Sequence, residues 1–93
     1  MRFLDSVINV WDSFNVGAVR STVKRADDDS KLVIEIEGAG HVATIEAWEH
    51  ASCLDITVLE LASKASTILS AGECRSLDDM KERFAQLLLV IAS

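Results

Sequence analysis

Lys31-Leu32-Val33-Ile34-Glu35-Ile36-Glu37-Gly38-Ala39-Gly40-His41-Val42-Ala43-Thr44-Ile45-Glu46-Ala47-Trp48 is the stretch that decides the fold. Leu32, Ile34 and Ile36 alternate with Val33, Glu35 and Glu37, the two-residue period of a strand with one buried and one open side. Gly38-Ala39-Gly40 permits a tight reversal. A second run of strand-forming residues starts at His41. A parallel pair needs a long crossover between its strands, so these two runs read as an antiparallel hairpin.

The same pattern extends outward in both directions. A strand is expected over residues 18–25, with Val19 and Val23 on one side and Arg20 and Lys24 on the other. Asp27-Asp28-Asp29-Ser30 is a turn cluster before the strand at 31–37. Strands at 41–49, 53–61 and 65–74 follow. At the start, Leu4, Val7, Trp11 and Phe14 recur at helical steps, and Ile8 widens the stripe, so a helix is expected over 2–15, ended by Asn15 and Gly17. A last helix is expected over 77–92, with Leu77, Met80, Phe84, Leu87, Leu88 and Ile91 on its apolar side. Ser76 is its N-cap and Asp79 stands three residues on, in capping-box position. Asp78 and Asp79 suit the positive end of its dipole. The expected architecture is α+β: an antiparallel five-stranded meander sheet with N- and C-terminal helices packed on one face. Residues 1–93 form a single domain, because a chain of 93 residues has no room for a second core.

Two-residue turns at Ala39-Gly40, Ala51-Ser52 and Ser63-Lys64 set a register. Ile34 then faces Ile45, Ala47 faces Ile56 and Val58 faces Leu69, all toward the helices. By parity the other face carries Glu35, Glu37, Val42, Thr44, Glu46, Trp48, Asp55, Thr57 and Leu59. An antiparallel sheet tolerates an uncovered face. Glu35, Glu37, Thr44, Glu46, Trp48, Asp55 and Thr57 are the candidate partner-binding residues, because a tryptophan among polar groups is hot-spot composition. A solvated strand face accounts for Glu35 and Glu37 as well, and Trp48 also suits a sheet edge or a place under the turn at His50.

Fifteen acids face nine bases, for a formal net charge of −6. Residues 27–60 hold nine of the acids and only one base, Lys31. An acidic middle repels nucleic-acid phosphates and anionic membrane surfaces, so neither partner is expected. It favours a basic protein partner, because complementary fields speed encounter. Asp5, Asn9 and Asp12 interrupt the first apolar stretch, so it does not read as an export signal. The run at 87–91 is too short to span a bilayer. The expected location is therefore cytoplasmic, with Cys53 and Cys74 reduced.

No catalytic constellation is visible. Serine is plentiful, yet no Gly-x-Ser-x-Gly elbow exists, and His41 and His50, the only neutral-pH bases, both adjoin expected turns. His50-x-x-Cys53 with Cys74 is a weak metal pattern that depends on Cys53 facing Cys74. The same register would permit a disulfide in an oxidised chain. Two small buried thiols are the plainer account. Gly38-Ala39-Gly40 is not followed by a helix N-terminus, so it reads as a turn rather than a phosphate loop. No enzyme activity, metal or cofactor is expected.

Ala43-Thr44-Ile45-Glu46-Ala47-Trp48-Glu49, Leu54-Asp55-Ile56-Thr57-Val58-Leu59 and Ser76-Leu77-Asp78-Asp79-Met80 leading to Phe84 resemble the TriTu-type immunity proteins, over roughly residues 31–91. Those are small acidic antitoxins encoded beside polymorphic toxins of the Rhs type, a group tied to type VI secretion. The resemblance implies a protein that binds an ADP-ribosyltransferase toxin domain aimed at elongation factor Tu. It neutralises that domain by steric blockade of the NAD or target site. A monomer in a 1:1 complex with the cognate toxin domain is expected rather than a homo-oligomer. The stretch Ala62-Ser63-Lys64-Ala65-Ser66 is less acidic than the family implies. A small acidic secretion chaperone or adaptor binding an effector protein is the rival reading. Such chaperones usually dimerise and hold unfolded segments.

Overall fold

A computed structural model describes residues 2–14 and 19–91. In chain order it contains α1 (Phe3–Phe14), β1 (Arg20–Arg25), β2 (Lys31–Glu37), β3 (His41–Trp48), β4 (Cys53–Glu60), β5 (Ser66–Ser70) and α2 (Leu77–Ile91). The five strands form one antiparallel sheet in the order β1-β2-β3-β4-β5. The expected α+β architecture is the observed one.

One alternation runs through the middle of the sheet. Leu32, Ile34 and Ile36 of β2, Ala43, Ile45 and Ala47 of β3, and Leu54, Ile56 and Val58 of β4 are buried in one core with α1 and α2. From the helices come Leu4, Val7, Val10 and Trp11, and Met80, Phe84, Leu87 and Ile91. The helices meet edge to face, with the Trp11 and Phe84 rings 5.7 Å apart and Phe14 also against Phe84. Val10 joins the stripe of α1, whereas Leu77 at the first turn of α2 is largely exposed. The expected helix stop at Asn15 and Gly17 lies outside the described residues.

Both helix starts are tied down. The Ser76 hydroxyl accepts the Asp79 N–H at 3.0 Å, as a cap should. The Asp79 carboxylate reaches back to the Arg75 N–H at 3.1 Å, one residue before the cap. At α1 the cap comes from far along the chain. The Glu49 carboxylate, just after β3, accepts the Phe3 N–H at 2.9 Å and the Leu4 N–H at 3.5 Å. Two free helix donors are thereby satisfied, and the negative group sits at the positive end of the dipole. Beside it, Arg25 of β1 bridges Asp5 of α1 at 2.9 Å and Asp29 at 2.8 Å. Ile91 closes over the β2–β3 turn so tightly that a Cβ on Gly38 would lie 2.8 Å from its carbonyl oxygen. Only glycine fits there.

The register departs from expectation in two places. Ile34 faces Ile45, but Ala47 faces Leu54 rather than Ile56, and Val58 faces Thr67 rather than Leu69. Each is a slip of two residues. The β3–β4 and β4–β5 loops are longer than two residues, and Ser52 and Lys64 take the left-handed conformation at φ 48° and 59°. A slip of two preserves which face each side chain takes. The last strand is also shorter than the expected 65–74. A bulge interrupts its pairing between Ile56 and Thr57, it ends at Ser70, and Gly72 turns the chain at φ 94°.

Cys53 consequently pairs with Glu73, not with Cys74. Cys53 is half-buried on the helix-free side, and Cys74 is buried in the core. The alignment assumed for a metal or a disulfide is thus absent. Among the described residues no three His, Cys, Asp or Glu side chains stand close enough to hold an ion.

Candidate functional site

Among the described residues, neither α1 nor α2 covers the other side of the sheet. The pairing arranges it in four cross-strand rows. Arg20, Glu37, Val42, Leu59 and Ser66 form one row. Thr22, Glu35, Thr44, Thr57 and Ile68 form the next. Lys24, Val33, Glu46 and Asp55 form the third, and Lys31, Trp48 and Cys53 the fourth. All seven candidate residues, Glu35, Glu37, Thr44, Glu46, Trp48, Asp55 and Thr57, therefore share one surface. Glu35 and Glu37 are exposed, and the other five are half-buried beside their neighbours.

The charge of this face differs from a plain acidic reading. Arg20 and Lys24 of β1 lie on it with Lys31, so its four carboxylates stand among three cations, a formal balance of −1. Lys24 Nζ bonds Glu35 at 3.0 Å, and Lys31 Nζ bonds Glu46 at 3.0 Å. The bases gather at the β1–β2 side, and Asp55 is the charged residue that β4 turns to this face. Elsewhere acids of the 27–60 segment serve the chain itself. Glu49 caps α1, and Asp28 accepts the Ser30 hydroxyl at 2.6 Å and amide at 3.0 Å. Those two bonds hold the Asp28 carboxyl below the usual carboxylate range.

Trp48 is half-buried on this open face, so neither the core nor the underside of a helix receives it. Lys31 Nζ lies 5.0 Å from the indole centroid, a cation–π contact. Beside Trp48 lies a hollow of about 530 Å³, lined by Ser30, Trp48, His50, Ala51, Cys53, Asp55, Ala71 and Gly72. Its surface is mostly apolar.

Gly72 is the hollow's best-anchored wall. Its N–H donates to Asp55 Oδ1 at 3.0 Å, and its carbonyl accepts the Leu54 N–H at 3.0 Å. Arg83 of α2 reaches round the sheet end to the same place. Its guanidinium donates to the carbonyls of Leu54 at 2.9 Å, Gly72 at 3.2 Å and Glu73 at 2.7 Å, and pairs with Asp79 at 3.1 Å. A charged clamp on three carbonyls fixes the turn that follows β5. Asp79 is held below the ordinary carboxylate range, first by the Arg75 N–H and then by Arg83. Burial pushes the Cys74 thiol up, away from the reactive thiolate.

The strand side of this hollow, Trp48 and Asp55, follows from the alternation of the sequence, and its far wall does not. Ala71 and Gly72 were expected inside a strand reaching Cys74. Gly72 was the available signal, since an isolated glycine in a strand pattern marks a bulge or a turn. His41 and His50 stand apart from each other. His41 lies 3.8 Å from Glu60, and His50 is exposed at the rim of the hollow. No helix of the described residues is long and apolar enough to cross a membrane.

The fold and this surface together define an open-faced meander domain, two helices behind and a hollow-bearing sheet in front. Comparison of the chain with protein families, with characterised proteins and with solved structures returned no match.

Proposed function

We propose that the chain is a binding protein without chemistry of its own, and that its particular role is immunity. It docks on a cognate ADP-ribosyltransferase toxin domain and blocks it sterically. The observation that carries this reading is the helix-free sheet face with Trp48 half-exposed at the rim of an apolar hollow. A sheet bonded through all five strands is a rigid platform, and a rigid platform loses little entropy on docking. The likeness of residues 43–49, 54–59 and 76–84 to TriTu-type immunity proteins supplies the toxin class. The net charge of −6 suits a basic partner.

Five strands spaced by roughly 4.8 Å and seven residues long at roughly 3.3 Å cover about 550 Å² in projection, and side chains standing off the sheet expose more accessible surface than that. With its rim at Ser30, His50 and Ala51 next to Trp48, the face is of the order of the ~800 Å² that a stable complex buries on each side.

The test is co-expression with the toxin encoded beside this chain. Growth is expected to be rescued, and the two proteins are expected to co-purify. Absence of rescue, with this chain shown to be folded and abundant, rejects immunity.

A further inference from the structure

The docking reading above leaves open what the partner inserts. We propose that the hollow beside Trp48 is a seat for an arginine side chain of the partner protein, its guanidinium set against the indole and bonded to Asp55.

Three observations converge on arginine. The first is the distribution of ion pairs on the open face. Glu35 has Lys24 and Glu46 has Lys31, each at 3.0 Å. Among the described residues no lysine or arginine forms an ion pair with Asp55 or with Glu37, and Glu37 lies away from the hollow. Asp55 is the one carboxylate lining the hollow. The second is its orientation. The Gly72 N–H holds Asp55 Oδ1, which fixes the carboxylate and leaves Oδ2 to accept from a guest. Gly72 is in turn held by Leu54 and by the Arg83 clamp, so the acceptor is preorganised. The third is the wall. Trp48, Ala51, Cys53 and Ala71 offer apolar surface to a three-methylene stem and an aromatic ring to a flat cation.

Arginine meets these demands better than lysine. Its guanidinium is planar, weakly hydrated and able to bond a carboxylate while lying on a ring, whereas an ammonium keeps its water. Lys31 does not neutralise Asp55, because its Nζ is bonded to Glu46.

The seat can be tested without the partner. N-acetyl-arginine amide is titrated into the isotopically labelled full chain, and the Trp48 indole N–H and Gly72 amide resonances are followed. The indole of Trp11, buried in the core, is the internal control. Saturable movement of Trp48 and Gly72 in the millimolar range is expected, with Trp11 still. Asp55→Asn keeps an acceptor for Gly72 and removes the charge, and should weaken binding about tenfold or more, in line with loss of one charge-assisted bond. The backbone spectrum of the variant shows whether it is folded. N-acetyl-leucine amide moving the same resonances as strongly overturns the proposal, because the hollow then takes any apolar group. Undiminished arginine binding by a folded Asp55→Asn chain overturns it too, as does a titration that never saturates. Growth rescue separates this failure from failure of the docking reading. If Trp48→Ala still rescues fully, the open face is not the docking surface. If Trp48→Ala abolishes rescue while the arginine probe does not bind, docking stands and the seat falls.

Discussion

Trp48 is a large aromatic side chain on the side of a sheet that no helix covers. A cation lies over its ring and an apolar hollow opens beside it. Truncation to alanine removes no core contact and loses the cross-strand contact with Lys31, so the thermal midpoint should fall only modestly. If the proposed docking holds, affinity for the partner should fall by about 2–4 kcal/mol, the range of an interface hot spot. Titration calorimetry on the pair measures it, and an unchanged affinity in a folded variant moves the interface elsewhere. Trp48, Glu46 and Asp55 could be placed on one face from the sequence, because parity survives an even slip of register. The hollow beside them was not legible. Its far wall depends on a bulge opposite Ile56 and Thr57 and on a turn at Gly72, and neither follows from alternation.

The elements show why some turns could be read and others not. The β2–β3 turn announces itself with Gly38 and Gly40, and Gly38 is required because the end of α2 lies against it. The β3–β4 and β4–β5 loops use Ser52 and Lys64 in the left-handed region, where glycine is the usual marker, so their true lengths were hidden. The edge strands differ in a similar way. β1 carries Arg20, Lys24 and Arg25, which discourage pairing with another chain, whereas β5 is uncharged and Ile68 is 70% exposed. At the start of α2 the lock is ionic. Asp79 has a lowered folded-state pKa, so it contributes stability above its unfolded pKa and loses it as pH falls through the folded value. Asp79→Asn should thus be less stable than the parent near neutral pH, and the gap should close as pH drops below the ordinary carboxylate range. Thermal midpoints measured across that range give the answer, and a gap independent of pH contradicts it. Asp28 contributes in the same sense and is untouched by the substitution.

For the whole molecule, the acidic character read from residues 27–60 is spread more widely than their strand positions suggest. Part of it is spent on caps and turns, and β1 adds bases to the open face that a tally of the three central strands leaves out. Continuing the pairing through the Asp27–Ser30 turn would have set Lys24 opposite Val33 and revealed them. The face is polarised rather than uniformly negative. Lys24→Gln frees Glu35 and takes the formal balance of the four rows from −1 to −2. Association with a basic partner of the kind proposed should then quicken a few-fold at low salt, and the difference should vanish as salt is raised. Stopped-flow rates at several ionic strengths decide this, and a slower variant at low salt would mean that Lys24 itself touches the partner.

The loop after β3 faces two ways. Glu49 holds the first amides of α1, while its neighbours His50 and Ala51 form the lip of the hollow. Whatever settles into the front of the sheet therefore presses on a backbone segment whose preceding residue anchors the rear layer. Occupancy at the front should stiffen that anchor and slow hydrogen exchange at the Phe3 amide, so that an amide on the back of the protein would report on a guest it never meets; an unchanged Phe3 exchange rate with the hollow filled contradicts this.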